Sequence, residues 1–106
     1  MLDIYLAKKN NTRVDLELNH LGSLTMEETK NLRCVFLHPS GLGRVFHFYE
    51  DREVSREQVS QLLEICLTCF ELSKGSATLI DETYRKIISM LETAAEKQEG
   101  IRTVCD

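Results

Sequence analysis

The stretch VSREQVSQLLEICLTCFELS, Val54 to Ser73, decides what kind of fold this chain can form. Ser55 followed three residues later by Gln58 is a capping box, in which each side chain satisfies a backbone amide left open at a helix start. Val54 and Val59 occupy the two positions of a hydrophobic staple across that start, so the spacing predicts a helix beginning at Arg56. With successive residues about 100° apart, Val59, Leu62, Leu63, Ile65, Cys66, Leu67, Cys69, Phe70 and Leu72 cover an arc of roughly 220°. Glu57, Ser60, Gln61, Glu64, Thr68 and Glu71 share the remainder. So wide an arc predicts a helix buried on more than half its girth. Its surplus would be covered by a second helix or, as the alternative, by a second subunit.

Beyond LSKGS, Thr78 and Asp81 suggest the cap of a last helix running to about Lys97. Ile80, Tyr84, Ile87, Leu91 and Ala94 would face inward, with Asp81, Arg85, Glu92 and Glu96 outward. Asp81 with Arg85, and Glu82 with Lys86, are favourable pairs one helical turn apart. Residues 54–98 therefore read as a helical hairpin. The remainder, EGIRTVCD over 99–106, reads as a loose tail that leaves the helix at Gly100.

Upstream of the helix, MLDIYLAK alternates Leu2, Ile4 and Leu6 against Asp3 and Tyr5. TRVDLELN alternates Val14, Leu16 and Leu18 against Arg13, Asp15 and Glu17. Period two over both runs predicts two strands with one buried face, joined through a turn at Asn10 and Asn11 as an antiparallel hairpin. Thr25 and Glu28 form a second capping box, which starts a helix near Met26; Pro39 and Gly41 would stop it near Leu37. The competing reading shortens that helix and makes RCVFLH a strand paired through PSGLG with RVFHFY; the longer helix is preferred. RVFHFYE, with Phe46 and Phe48 on one face and Val45, His47 and Tyr49 on the other, reads as a strand coverable on both sides. Residues 1–50 thus supply a hairpin, a helix and a strand. The whole chain, 1–106, is expected to be one α+β domain: a small antiparallel sheet of about three strands, packed on one face by helices and ending in a helical hairpin.

Composition bounds the functional classes. At 106 residues, with 42% hydrophobic and 28% charged residues, the chain is long enough for one modest core. No window approaches the ~18 apolar residues of a membrane span, and Asp3 interrupts the apolar N-terminus, so no secretory signal is read and a cytoplasmic setting is expected. In that setting Cys34, Cys66, Cys69 and Cys105 are expected to be reduced. Net charge is −4, and residues 1–50 carry six acids and six bases while 51–106 carry eleven and seven. An acidic half without a Lys/Arg stripe disfavours nucleic acid and favours a protein partner with a basic surface.

Each candidate site has a plainer competitor. Cys66 and Cys69 form a C-x-x-C, but Cys66 lies about ten residues inside the helix, far from the N-terminal field that activates redox thiols. Zinc would need two more ligands from Cys34, His20, His38 or His47, and no finger-like spacing supplies them. The pair reads as core packing, and no metal or cofactor is expected. His47 and Tyr49 share a strand face beside Glu50 and Asp51, an arrangement that could line a ligand pocket but lacks a paired nucleophile. His20 and His38 read as loop or helix-end residues. PSGLGR is expected to lead into a strand and not a helix, which argues against a phosphate cradle and for a turn.

The acidic residues are the most informative feature. Glu57, Glu64 and Glu71 repeat every seven residues along one helix edge, and Glu92, Glu96 and Glu99 extend the acidity on its neighbour. Their plain reading is a solvated face; their functional reading is a surface that steers a basic partner. The chain is therefore expected to be a non-enzymatic protein-binding protein that acts by occlusion, in the manner of inhibitors, immunity proteins or anti-defence proteins. The alternative is a homodimeric module with a small ligand between sheet and helices.

Overall fold

The computed structural model describes residues 1–7, 19–46 and 51–105. Their elements run in the order β1 (Leu2–Ala7), β2 (His20–Leu24), α1 (Met26–Asn31), α2 (Arg33–Phe36), a 3-10 helix (Leu42–Phe46), β3 (Arg52–Val54), α3 (Arg56–Ser73), α4 (Thr78–Glu96) and β4 (Gly100–Cys105). The architecture is α+β, as its patterning predicts, with a four-stranded rather than three-stranded antiparallel sheet in the order β2-β1-β4-β3.

Of the three expected strands only that at Leu2–Ala7 coincides with a strand among the described residues; His20–Leu24 and Arg52–Val54 lie just beyond the other two expected runs, and the fourth strand is the segment expected to be a loose tail. β4 lies at the centre of the sheet, pairing with β1 from Leu2 opposite Cys105 to Ala7 opposite Gly100, and with β3 from Arg52 opposite Thr103 to Val54 opposite Ile101. The alternation is present in the sequence: Ile101 and Thr103 are fully buried while Arg102 and Val104 are half-buried. Six residues after a helix are short for an independent strand. They are stabilised because β1, with Leu2, Ile4 and Leu6 buried, needs a hydrogen-bonding partner on each edge. On its other edge β1 pairs with His20–Leu24, with a bulge between Ile4 and Tyr5. The Val14, Leu16 and Leu18 strand and its turn at Asn10 and Asn11 lie outside the described residues, as does the His47 to Glu50 part of the later strand.

α4 enters β4 through a helix-ending motif that does not use Gly100. Lys97 is the C-cap, Glu99 N–H donates to Ala94 O and Gln98 N–H to Ala95 O, each at 3.0–3.1 Å. This is a Schellman reversal, and its left-handed residue is Gln98 at φ 55°. Gly100 serves a different purpose: a Cβ there would collide with the Val54 carbonyl, so its missing side chain lets β4 approach the start of α3.

The two capping boxes form as read. Glu28 N–H donates to Thr25 Oγ1 at 3.1 Å and Thr25 N–H to Glu28 Oε1 at 3.0 Å; Gln58 N–H donates to Ser55 Oγ at 3.3 Å and Ser55 N–H to Gln58 Oε1 at 3.2 Å. α3 begins at Arg56 with Val54 and Val59 both buried, completing the staple. The expected cap at Thr78 does not form. Ala77 takes the N-cap position, and the Asp81 carboxylate instead accepts the Gly75 N–H in the turn before it.

The segment 26–36 is helical, as preferred over a strand, but the helix breaks at Leu32 (φ −94°, ψ 22°) into α1 and α2. The redirected α2 buries Val35 and brings Cys34 to α3. The beginning of the expected strand at Arg44–Phe46 is instead 3-10 helix. Both faces of that run were apolar, so its period was ambiguous, and the tighter turn buries the adjacent Val45 and Phe46 together. Thr103 Oγ1 donates to Val45 O at 2.9 Å, anchoring this turn to β4. Gly43 packs so closely on α2 that a Cβ would overlap the Val35 carbonyl.

One core unites the sheet and helices. From α3 it takes Val59, Leu62, Cys66 and Cys69; from α4 it takes Tyr84, Ile87, Ile88, Met90, Leu91 and Ala94. Each fully buried aliphatic side chain contributes about 1.5–3 kcal/mol of transfer free energy. Inward and outward residues of α4 fall as expected, except that Ile80 and Asp81 are half-buried, Asp81 being turned to the Gly75 N–H, and that Lys86 reaches across to Glu28 at 3.1 Å instead of pairing along its helix with Glu82.

Candidate functional site

α3 is buried over a narrower arc than its apolar residues suggest. Leu63, Ile65 and Phe70 are half-buried, Leu67 is 44% exposed and Leu72 78% exposed. α4 covers one flank, where the Phe70 and Tyr84 rings stack with centroids 5.9 Å apart. The opposite flank opens onto a groove of about 410 Å³. Gln61, Glu64, Ile65, Thr68, Cys69 and Leu72 form its α3 wall; Cys34, His38, Ser40 and Leu42, from α2 and the turn after it, form the other.

The two walls are joined covalently. Cys34 and Cys69 form a disulfide with Cα atoms 5.9 Å apart, within the usual range for such bonds. This corrects the expectation of four reduced thiols and separates the members of the C-x-x-C. Cys69 pairs outside the motif, whereas Cys66 is fully buried in the core and its thiol is pushed up to about 12 by burial. Cys66 packs as a small hydrophobe, as read. The pairing was hidden because its partners lie 35 residues apart on elements whose contact the sequence does not reveal.

His38 is held at the groove wall by its neighbour. Its Nδ1 accepts the Ser40 N–H at 3.2 Å and faces the Ser40 hydroxyl at 2.9 Å, and Ser40 Oγ accepts the Leu42 N–H at 3.2 Å. An Nδ1 that accepts a backbone N–H leaves a ring proton on Nε2, where it can be donated. His38 is thus a loop residue, as expected.

Glu57, Glu64 and Glu71 are all exposed along the solvent-facing edge of α3, and Glu92 and Glu96 are exposed on α4. Seven residues of helix separate successive members on α3 by about 10.5 Å. Glu64 alone of the three lines the groove, while Glu57 lies 3.6 Å from Arg56 in an exposed pair. His47 and Tyr49, with the pocket they were expected to line, lie outside the described residues; the groove is between α3 and the α2 turn, not between sheet and helices.

A second polar cluster escaped the sequence reading. His20, expected in a loop or at a helix end, is the first residue of β2. Its Nε2 lies 3.3 Å from Asp3 Oδ1 and 3.2 Å from Ser23 Oγ, and the Ser23 hydroxyl donates to the same Asp3 oxygen. The residue types match a nucleophilic triad but the arrangement does not. In a triad the carboxylate holds one ring nitrogen while the other takes the hydroxyl proton; here one nitrogen faces both groups and the hydroxyl proton is directed at the carboxylate. The cluster ties β1 to β2. Among the described residues, no three His, Cys, Asp or Glu side chains assemble a metal site, and no helix is long and apolar enough to cross a membrane.

The described residues thus define a small α+β class: a four-stranded antiparallel sheet backed by a helical hairpin, with a disulfide-linked groove beside an acidic edge. No known protein family matches the chain, and comparisons with characterised proteins and with solved structures find no match.

Proposed function

We propose that this protein is a non-enzymatic binding protein that occludes a functional surface of a basic protein partner, using the acidic edge of α3. The observation that carries the reading is that Glu64, flanked along α3 by the exposed Glu57 and Glu71, lines the same apolar groove as the exposed Leu72. Apolar surface beside one-signed charge is the composition of a recognition patch, in which charge governs encounter and apolar contact governs residence. Glu92 and Glu96 on α4 add to the field that steers the partner. No cofactor, metal, nucleic acid or membrane has a part in this reading.

Capture of the partner at low and high salt, followed by association kinetics, tests it. Reversing Glu57, Glu64 and Glu71 to Lys is expected to slow association by at least about tenfold at low salt and to flatten its salt dependence. Unchanged kinetics with the captured partner would reject the acidic edge as the interface.

The exposed Leu67 and Leu72 favour one second reading, a homodimeric ligand-binding module with these residues in its seam. Sedimentation giving a monomer at all concentrations would remove it. A cytoplasmic setting stands against the Cys34–Cys69 bond, which persists in oxidising surroundings. The state of that bond in protein isolated from its native cell, trapped by alkylation during lysis, decides between the two.

A further inference from the structure

We infer that the groove is the anchor slot of the partner interface, receiving one large apolar side chain of a segment in which a lysine or arginine next to that residue pairs with Glu64. This rests on the partner-binding reading above and adds to it where the partner docks and what sequence it presents.

The argument starts from the walls. Ile65, Leu42 and Leu72 give the groove apolar surface, and the Cys34–Cys69 bond links its two walls and prevents them from separating. Its volume, about 410 Å³, accommodates one leucine, methionine or phenylalanine side chain together with the methylene stem of a neighbouring basic residue. Glu64 lines the same groove, so a cation entering beside the apolar anchor meets a carboxylate at the edge of an apolar surface. Glu57 and Glu71 stand about 10.5 Å to either side. That distance is about three residues of extended chain, so further basic residues at that interval continue the pairing.

Charge decides the occupant. A second copy of this chain docking symmetrically would bring its own Glu57, Glu64 and Glu71 to the same place, setting like charges together. A basic segment reverses the sign of that interaction. His38, with its proton on Nε2, adds a hydrogen-bond donor suited to a backbone carbonyl of the incoming segment.

Selection of a displayed random-peptide library on the disulfide-intact protein at low salt tests this. Enriched peptides are expected to place a large apolar residue beside Lys or Arg. Their affinity, measured on synthetic peptides by fluorescence anisotropy, is expected to fall at least about tenfold with Thr68→Trp, which fills the slot from an exposed helix position without changing charge. Gln61→Phe on the same wall provides an independent obstruction, and circular dichroism confirms that both variants are folded. Glu64→Gln is expected to weaken binding by up to about fivefold at low salt and to make no difference at high salt. Peptides that bind Thr68→Trp and Gln61→Phe as well as the wild type overturn the slot while leaving the acidic-edge reading in place. Affinity lost on obstruction but insensitive to reversal of all three glutamates overturns the paired cation and the acidic edge together. Enrichment of peptides without basic residues, or no enrichment at all, overturns both the slot and the reading on which it rests.

Discussion

Opening the Cys34–Cys69 bond is expected to cost about 4 kcal/mol. The bond closes a loop between residues 35 apart. In the chain-entropy treatment a loop of that length removes roughly 13 cal/mol/K from the unfolded ensemble, about 3.8 kcal/mol at 25 °C. A domain of this size has about 5–15 kcal/mol in all, so the bond supplies a quarter or more of the total. With a urea m-value of about 2 kcal/mol/M, the midpoint moves down by about 2 M. Cys34→Ser is the variant of choice because Cys34 is exposed, whereas serine in place of the buried Cys69 would also bury a hydroxyl. The assay is urea unfolding followed by far-UV circular dichroism, for Cys34→Ser and for wild type with and without a dithiol reductant. Intact mass after alkylation in denaturant supplies the covalent check: two thiols, Cys66 and Cys105, before reduction and four after it. Amide exchange over 32–46 is expected to rise in the reduced protein, since the bond adds a covalent tie between α2 and α3 to the packing of Val35 in the core. Four alkylated thiols in the unreduced protein, or a midpoint shift under about 0.5 M, would refute the reasoning.

Three further outcomes follow from particular contacts. Gly43→Ala places a methyl against the Val35 carbonyl and is expected to destabilise by about 1–3 kcal/mol, lowering the melting temperature by several degrees. Gln98→Gly relieves a left-handed residue at φ 55° and is expected to stabilise by about 0.5–1 kcal/mol, read as a rise in urea midpoint. Burial alone would raise the Glu28 carboxyl, but the Thr25 amide and Lys86 outweigh it and hold it below the ordinary value of 4.5. Its contribution is therefore present above that value and is lost as pH falls through the depressed folded value. Lys86→Met is expected to lower stability by under about 1 kcal/mol near neutral pH, a deficit that shrinks below about pH 4.5 when urea midpoints are compared across pH.

Legibility followed the range of the interaction. The starts at Thr25 and Ser55 were readable because a capping box is complete within four residues, and both sets of bonds form. The outward placement of Glu57, Glu64, Glu71, Glu92 and Glu96 followed from helical period in the same way. His20, Asp3 and Ser23 were not readable as a cluster, because only the pairing of β1 with β2 brings Asp3 beside the other two.

The chain by itself determined its class, its two long helices and the acidic edge, since these depend on neighbours three, four or seven residues away. Tertiary structure alone decided that Gly100–Cys105 is a central strand, that Leu42–Phe46 is a 3-10 turn and that Cys34 meets Cys69. Each of those depends on a partner from a distant part of the chain: β1 for the strand, Thr103 for the turn, α3 for the cysteine. A strand without its neighbour has unpaired amides and a cysteine without its partner is one more small apolar residue, so neither is written in local pattern.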